Sequence, residues 1–141
     1  MKKKFALLVT LLVLTAALTA CGASDTDNGV SLDGTSWVLA TYSKNSPLPG
    51  TEPTLRFEGG QVSGSASCNG FGGSYTQDSS SLSFSDLFMT EMYCMDPEGI
   101  MDQESAYLQL LGGADSFEIQ ADGTLVIFST GHETLTFQPA N

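Results

Sequence analysis

Short stretches of alternating apolar and polar residues make up most of the chain from Leu32 onward, with glycine, serine, asparagine and aspartate between them. Alternation with a period of two puts successive side chains on opposite faces of a strand, so it predicts half-buried β-strands. Gly59 and Gly60 suit a tight hairpin turn. The strand candidates are 36–42, 54–58, 61–66, the neighbourhood of Tyr75, 82–84, 87–93, 116–120, 125–128 and 134–138.

One segment departs from this alternation and predicts a helix. Asp96, Pro97 and Glu98 form a helix start: an N-cap aspartate, a proline at the first helical position and an acid near the positive end of the helix dipole. Gly112 and Gly113 end it. We therefore predict a mainly β (α+β) domain. It is a small antiparallel, barrel-like sheet of about eight short strands with one helix packed on it, since closure removes exposed sheet edges.

Residues 1–20 have the layout of a secretory signal peptide, with lysines at positions 2–4, an apolar run and small residues at the end. The apolar run is about half as long as the roughly 20 residues that a spanning helix needs. Its end, Leu18-Thr19-Ala20-Cys21, resembles a bacterial lipobox. We expect cleavage before Cys21 and lipidation of this cysteine; the alternative is an ordinary secreted protein in which Cys21 is incidental.

The small, polar residues that follow predict a lipidated flexible tether over 21–31, leaving 32–141 as the folded domain. Two or three acyl chains on one cysteine hold firmly, so the partner expected first is a membrane, contacted through the lipid. Gly22 gives no signal for retention at an inner membrane. The expected location is the cell envelope: the outer membrane if the organism has two membranes, otherwise the outer face of the cytoplasmic membrane.

Charge narrows the range of partners. Beyond residue 20 the chain has 16 acidic and two basic side chains, Lys44 and Arg56, which gives a formal charge of −14. Nucleic-acid binding requires clusters of lysine and arginine, so it is excluded. An anionic membrane surface would also repel the domain, leaving anchoring to the lipid. The favoured interpretation of the acidity is a well-solvated surface, and the alternative is a specific cationic partner.

Two cysteines remain besides Cys21. In an exported protein, oxidising conditions favour a disulfide between Cys68 and Cys94. The chain-entropy argument gives such a bond about 3 to 4 kcal/mol of stabilisation, a large share of the stability of a small domain.

Candidate chemistry is sparse. His132 is the only histidine, in a predicted turn, and no Gly-x-Ser-x-Gly motif is present. The run from Cys68 to Gly73 lacks the lysine of a phosphate loop, so we interpret Asn69 and its glycines as a tight connection with positive φ. We predict no enzyme activity, no catalytic residue, no metal and no cofactor.

A soft-metal site is the sharpest chemical alternative. Met89, Met92, Cys94 and Met95 offer thioether and thiolate ligands, which favour an ion such as Cu(I). In a strand, however, these residues would alternate between two faces, and a disulfide would consume the thiol. Core packing by the methionines is therefore the favoured interpretation.

Several segments, taken together and in order, resemble the META domain family, which includes a heat-inducible bacterial envelope protein. The resemblance covers about 32–137. It implies a small β-barrel with one helix, frequent export or lipidation, no catalytic machinery, and roles in envelope stress, resistance or secretion. The segments are Gly34-Thr35-Ser36-Trp37, the run 64–75 centred on Cys68-Asn69-Gly70-Phe71, Thr90 with Met92 and Cys94, Glu104 before Tyr107-Leu108, and Leu135-Thr136-Phe137.

The functional prediction is a non-enzymatic envelope lipoprotein with a META-like domain, which supports stress tolerance or resistance through binding or structural interactions. Its partner beyond the membrane would be an unknown envelope protein or a small ligand. The alternative is a small-molecule or soft-metal binding module that uses the barrel mouth, where ligand sites are common.

Overall fold

Eight strands close into an antiparallel barrel in which each strand pairs with its neighbours in the chain and the last returns to the first. The computed structural model describes residues 29–140. The mainly β prediction, with one helix before the last three strands, is confirmed. The elements are β1 (Ser36–Tyr42), β2 (Thr54–Glu58), β3 (Gln61–Ser65), β4 (Gly70–Asp78), β5 (Ser81–Met89), α1 (Ile100–Gly112), β6 (Ala114–Ile119), β7 (Leu125–Ser129) and β8 (Glu133–Pro139).

Apolar side chains fill the barrel interior because the strands alternate as the sequence pattern requires. In β1, Trp37 and Leu39 are buried, while Val38 between them and Ala40 after them are half-buried. Each large apolar side chain that is fully buried contributes about 1.5 to 3 kcal/mol, so the interior is the main source of stability. The other buried apolar residues of the strands include Leu55, Phe57, Val62, Phe71, Leu82, Phe117, Leu125, Ile127, Leu135 and Phe137.

Helix α1 presents one face to this interior. Ile100, Gln103, Glu104, Tyr107 and Leu111 are its buried residues, three or four positions apart, which places them on one side of a helix. The ring of Tyr107 meets those of Phe71 and Phe137 edge to face, with centroids 5.8 and 6.3 Å away. The helix therefore joins opposite parts of the barrel wall.

The barrel closes unevenly between β5 and β6. Ser81 and Ser116 are the one register pair between these strands, and the Phe117 N–H donates to the Ser80 carbonyl at 2.9 Å. Because β6 begins directly after α1, it is too short to follow β5 further. The side chain of Leu87, late in β5, lies next to Gly112 at the end of the helix.

Three local predictions were wrong. The stretches 82–84 and 87–93 are not two strands: β5 runs unbroken from Ser81 to Met89. The interrupted alternation is a β-bulge, with a register shift opposite Gly73 and a positive φ of 53° at Asp86. Residues 90–99 are irregular.

The helix begins at Ile100, not at Asp96-Pro97-Glu98. Gly99 has a φ of 87°, which no helix interior allows, so the residues before it form a turn. The glycine run was also misassigned, since Gly70 starts β4 and the positive φ falls on Ser67. Gly72 lies so close to the Phe88 ring that an added Cβ would come within 2.7 Å of it. This glycine provides close packing, not a turn.

Within residues 29–140, no helix combines the length and the apolar character needed to cross a membrane.

Gly64 tests the packing of the barrel wall. A Cβ at this position would overlap the backbone carbonyl of Thr54 and come within 2.9 Å of the Phe71 ring. Because a paired strand cannot yield easily, we expect Gly64→Ala to lower the free energy of unfolding in urea by about 3 kcal/mol. Gly70→Ala is the matched control, since its Cβ would meet nothing nearer than 3.8 Å. Equal stability of the two variants would contradict this account of the packing.

Tyr107 makes the stability of the domain fall as the pH rises in the alkaline range. Burial raises the pKa of Tyr107 well above the ordinary value of 10.0. The protonated hydroxyl therefore stabilises the folded state fully below the pKa that Tyr107 has in the unfolded chain. Above that pKa, the free energy of unfolding falls by about 1.4 kcal/mol per pH unit. We expect Tyr107→Phe to lose about 1 kcal/mol near neutral pH, because its hydroxyl donates to the Thr54 carbonyl at 3.0 Å. Above about pH 10, the free energy of unfolding in urea should then fall less in the variant than in the natural chain. A parallel decline of both proteins would contradict the assignment.

Candidate functional site

A buried carboxylate lies where α1 meets the start of β4. Glu104 is 1% exposed. Its Oε2 accepts from the backbone N–H groups of Cys68 and Asn69, at 3.1 and 2.6 Å, and its Oε1 accepts from Asn69 Nδ2 at 2.7 Å. A buried charge is tolerated only when it is paired or fully hydrogen-bonded, and here three donors converge on it. Glu104 therefore fixes the 68–69 backbone against the helix.

Asn69 passes this constraint on to the irregular segment after β5. Its Oδ1 accepts from Thr90 Oγ1 at 2.7 Å and from the Met92 N–H at 2.8 Å, while Nδ2 also donates to the Met92 carbonyl at 3.0 Å. One side chain thus bonds both backbone groups of Met92, as a neighbouring strand would. Residues 90–92 are therefore held in place without the regular backbone hydrogen bonds of a β-sheet.

Gln103 fastens a second loop to the same helix. Its Oε1 accepts from the Leu48 N–H at 2.6 Å, and its Nε2 donates to Thr51 Oγ1 at 2.9 Å and Ser67 Oγ at 2.7 Å. Every buried side-chain nitrogen and oxygen in the described part of the chain has a partner. We call this cluster of Glu104, Asn69 and Gln103 the joint. Its buried polar atoms have hydrogen-bond partners within the chain, so it leaves no free group for a ligand.

The predicted disulfide between Cys68 and Cys94 is present, with Cα atoms 5.9 Å apart. It places a covalent bond next to the Asn69 contacts. The Cys94 N–H also donates to Met101 Sδ at 3.4 Å, which ties the segment to the first turn of α1. Because its sulfur is bonded to Cys68, Cys94 offers no thiolate to a soft metal.

The other candidates lie apart from this joint. His132 is exposed in a short 3-10 turn (Thr130–His132) between β7 and β8, where the pattern placed it. Cys21 lies outside the described residues. Across residues 29–140, no group of three or more histidine, cysteine, aspartate or glutamate residues could hold a metal ion.

An exposed apolar stretch runs from the end of β5 into the segment that this joint holds. We call it the apolar platform: Phe88, Met89, Met92, Tyr93 and Met95, whose side chains are between 44% and 83% exposed. Phe88 lies against Gly72, and the Thr90 N–H donates to the Gly70 carbonyl at 3.0 Å, so the platform follows β4 back toward Cys68. The expectation that these methionines pack in the core was wrong, because the chain leaves the barrel wall after Met89 and Asn69 holds it outside.

A groove separates the platform from the N-terminal turn of α1. It has a volume of about 260 Å³ and is open to solvent. Its apolar part comes from Tyr93, Met95, Ile100 and Met101, and its charged part from the carboxylates of Glu98 and Asp102. Sequence reasoning missed this surface, although a signal existed: from Asp86 to Asp102 the chain has four methionines, two aromatic residues and five acidic residues, with no lysine or arginine.

The segment that leads to the tether is fixed at the other end of β4. Gln77 donates to the Val30 carbonyl at 2.7 Å and accepts from the Leu32 N–H at 3.0 Å. Gln77 and Phe71 are six residues apart on the same strand, which corresponds to about 20 Å. Phe71 pairs with Met89 of the platform. The chain therefore enters the barrel at the end opposite to the platform.

Tyr75 helps to hold this entry. Its hydroxyl donates to Asp33 Oδ1 at 3.2 Å, and the same oxygen accepts from the Gly59 N–H at 2.5 Å. Burial, and next the negative charge of Asp33, raise the pKa of Tyr75. The protonated hydroxyl is thus the form that bonds the entry segment to the barrel.

These features define a class: a small antiparallel barrel with one helix, in which a buried carboxylate fixes the helix to the barrel and a disulfide holds the segment before the helix. The sequence model of the META domain matches residues 30–141. The chain belongs to the META domain family. The family expected from the residue pattern is thereby confirmed.

Two solved structures are similar. An NMR structure of a protein from Burkholderia xenovorans is 31% identical, with a TM-score of 0.67, and the match covers 78% of this chain and 84% of that one. A second NMR structure is 23% identical, with a TM-score of 0.62, and the match covers 76% of this chain and 90% of that one. This second likeness shows the fold alone. A comparison with curated proteins gave no match.

Asn69 tests the joint. Replacement by alanine removes the amide that bonds Glu104, Thr90 and Met92, and leaves a buried carboxylate oxygen and both the N–H and the carbonyl of Met92 without these partners. We expect Asn69→Ala to lower the free energy of unfolding by about 3 kcal/mol and to speed hydrogen exchange at the Met92 amide. Gln77→Ala is the control: it removes a bridging amide at the other end, so its faster exchange should appear at Leu32. Unchanged exchange at Met92 in Asn69→Ala would refute the joint.

Proposed function

We propose that this META domain protein is a lipid-anchored protein of the cell envelope that supports tolerance of envelope stress by binding a partner, without catalysis. The observation that supports this most directly is the apolar platform. Soluble domains bury most large apolar side chains, and contiguous exposed ones mark interaction surfaces. Five of them occur here within eight residues of the chain, and the disulfide and the Asn69 contacts hold the later part of this stretch in one conformation. A fixed surface binds with less loss of conformational freedom than a mobile one.

The position of the platform fits an anchored protein. Lipidation at Cys21 would attach the domain through residues 22–29, which can span at most about 28 Å. That tether enters at the end of β4 opposite to the platform. Binding through the platform would then take place on the side facing away from the membrane. The exposed acids beside the platform would add to this orientation, since anionic lipid repels them.

The anchor is tested by the mass of the mature protein. We expect the chain isolated from membranes to begin at Cys21 and to carry acyl chains, and Cys21→Ser to carry none, because serine has no thiol to receive the lipid. Those chains would hold the mature protein, since each buried methylene adds about 0.8 kcal/mol of membrane affinity. A natural chain without lipid, or a Cys21→Ser chain with the same added mass, would refute lipid anchoring at Cys21.

The role is tested by complementation of a deletion strain under envelope stress, with survival as the measurement. The natural chain should restore survival, whereas Cys21→Ser and the double variant Phe88→Ser with Met92→Ser should not. Val30→Ser is the matched control, because Val30 is an exposed apolar residue at the opposite end. All variants are compared at equal protein levels, since exposed residues add little to stability. Normal survival of the deletion strain, or full complementation by the platform variant, would overturn the proposal.

A further inference from the structure

The groove beside the platform has a chemistry that selects one kind of partner. Its lining is mixed: apolar side chains such as Met95 and Ile100 line it together with the acidic residues Glu98 and Asp102. Within residues 29–140 neither carboxylate has a cationic partner, since the one ion pair in this part of the chain is Arg56 with Glu58. A helix N-terminus contributes about half a positive charge, which the two carboxylates exceed. The groove therefore keeps a net negative potential.

Tyr93 adds a second element of cation recognition. It is 80% exposed and lines the groove together with Met95 and the two acids. An aromatic ring attracts a lysine ammonium or an arginine guanidinium through its face. A side chain with an apolar stem and a charged end, such as lysine or arginine, matches a groove with this composition.

The surroundings extend the same pattern over the platform. Asp86, Glu91 and Asp96 are exposed and stand within two residues of a platform side chain along the chain, and no basic residue occurs from Asp86 to Asp102. A second copy of the protein would bring the same acids against each other, and an anionic bilayer would repel them. The complementary partner is basic and apolar together.

We propose that the groove and the platform bind a cationic polypeptide segment in which lysine or arginine side chains stand next to apolar ones. The cationic group lies between Glu98, Asp102 and Tyr93, and the neighbouring apolar side chains cover Phe88, Met89 and Met92. This inference rests on the proposed binding function and names the chemical class of its partner.

The test is a titration of the full chain, in a nonionic detergent, with a fluorescently labelled peptide of alternating leucine and lysine. Fluorescence anisotropy measures the affinity. We expect the double variant Glu98→Gln with Asp102→Asn to bind about tenfold more weakly, since two exposed ion pairs are lost. The pair Tyr93→Ser with Met95→Ser should bind more weakly by a similar factor, and because its residues are exposed, it tests the groove independently of the helix terminus.

A charge-matched control separates the groove from the overall acidity. Glu118→Gln with Glu133→Gln removes two exposed acids from β6 and β8, away from the groove. We expect this control to change affinity less than twofold. An equal loss in the control and in the groove variant would show attraction by net charge alone, and would overturn the proposal. Melting curves confirm that each variant is folded.

Two further peptides test the partner's chemistry. Leucine with glutamate removes the positive charge, and serine with lysine removes the apolar side chains. Tight binding of either one would overturn the proposal. Two other results would also overturn the proposal: binding of the unlipidated Cys21→Ser chain to phosphatidylcholine vesicles, and a dimer in sedimentation velocity. Either result counts if the double variant Tyr93→Ser with Met95→Ser abolishes it, because the groove then binds lipid or a second copy.

The two proposals fail separately. If the platform variant fails to complement but the leucine–lysine peptide does not bind, the function stands and the partner's chemistry is refuted. If the peptide binds in the groove but the deletion strain survives stress normally, the envelope role is refuted.

Discussion

The hydrogen bonds that Glu104 accepts are the constraint on which the arrangement of this domain depends. A carboxylate at 1% exposure is stable only when donors surround it, and its donors come from residues 68–69. The helix is therefore fixed to the start of β4 by a directional contact, whereas apolar packing alone would allow it to slide. Asn69 uses the rest of its amide on Met92, so the position of the helix also determines the position of the exposed segment.

The disulfide and the hydrogen bonds act on the same segment in different ways. The Cys68–Cys94 bond restricts the unfolded chain as well as the folded one, while the Asn69 contacts act only in the folded state. Together they hold Met92 and Tyr93 in solvent, where the hydrophobic effect would otherwise draw them against the barrel. An apolar surface maintained against that tendency is the physical basis of the binding role proposed for the protein.

Negative charge gives this surface a preference among partners. The five acids from Asp86 to Asp102 are near exposed methionines and aromatic rings. Apolar contact is nondirectional and would accept many partners, including another copy of the chain. In the proposed interaction, like charges would disfavour that copy and anionic lipid, so specificity would come from repulsion as well as attraction.

Local pattern in the amino-acid sequence was enough to establish the barrel, the helix and the disulfide. Alternation with a period of two reports which face of a strand is buried, and besides Cys21 the two remaining cysteines leave one pairing. Local pattern failed at Met89, Met92 and Met95, since methionine is apolar and the pattern assigned it to the core. The exposure of Met92 follows from Asn69, 23 residues away along the chain, which bonds Met92 outside the barrel. The folded arrangement alone could reveal this, because a hydrogen bond between distant residues leaves no periodic trace in the sequence.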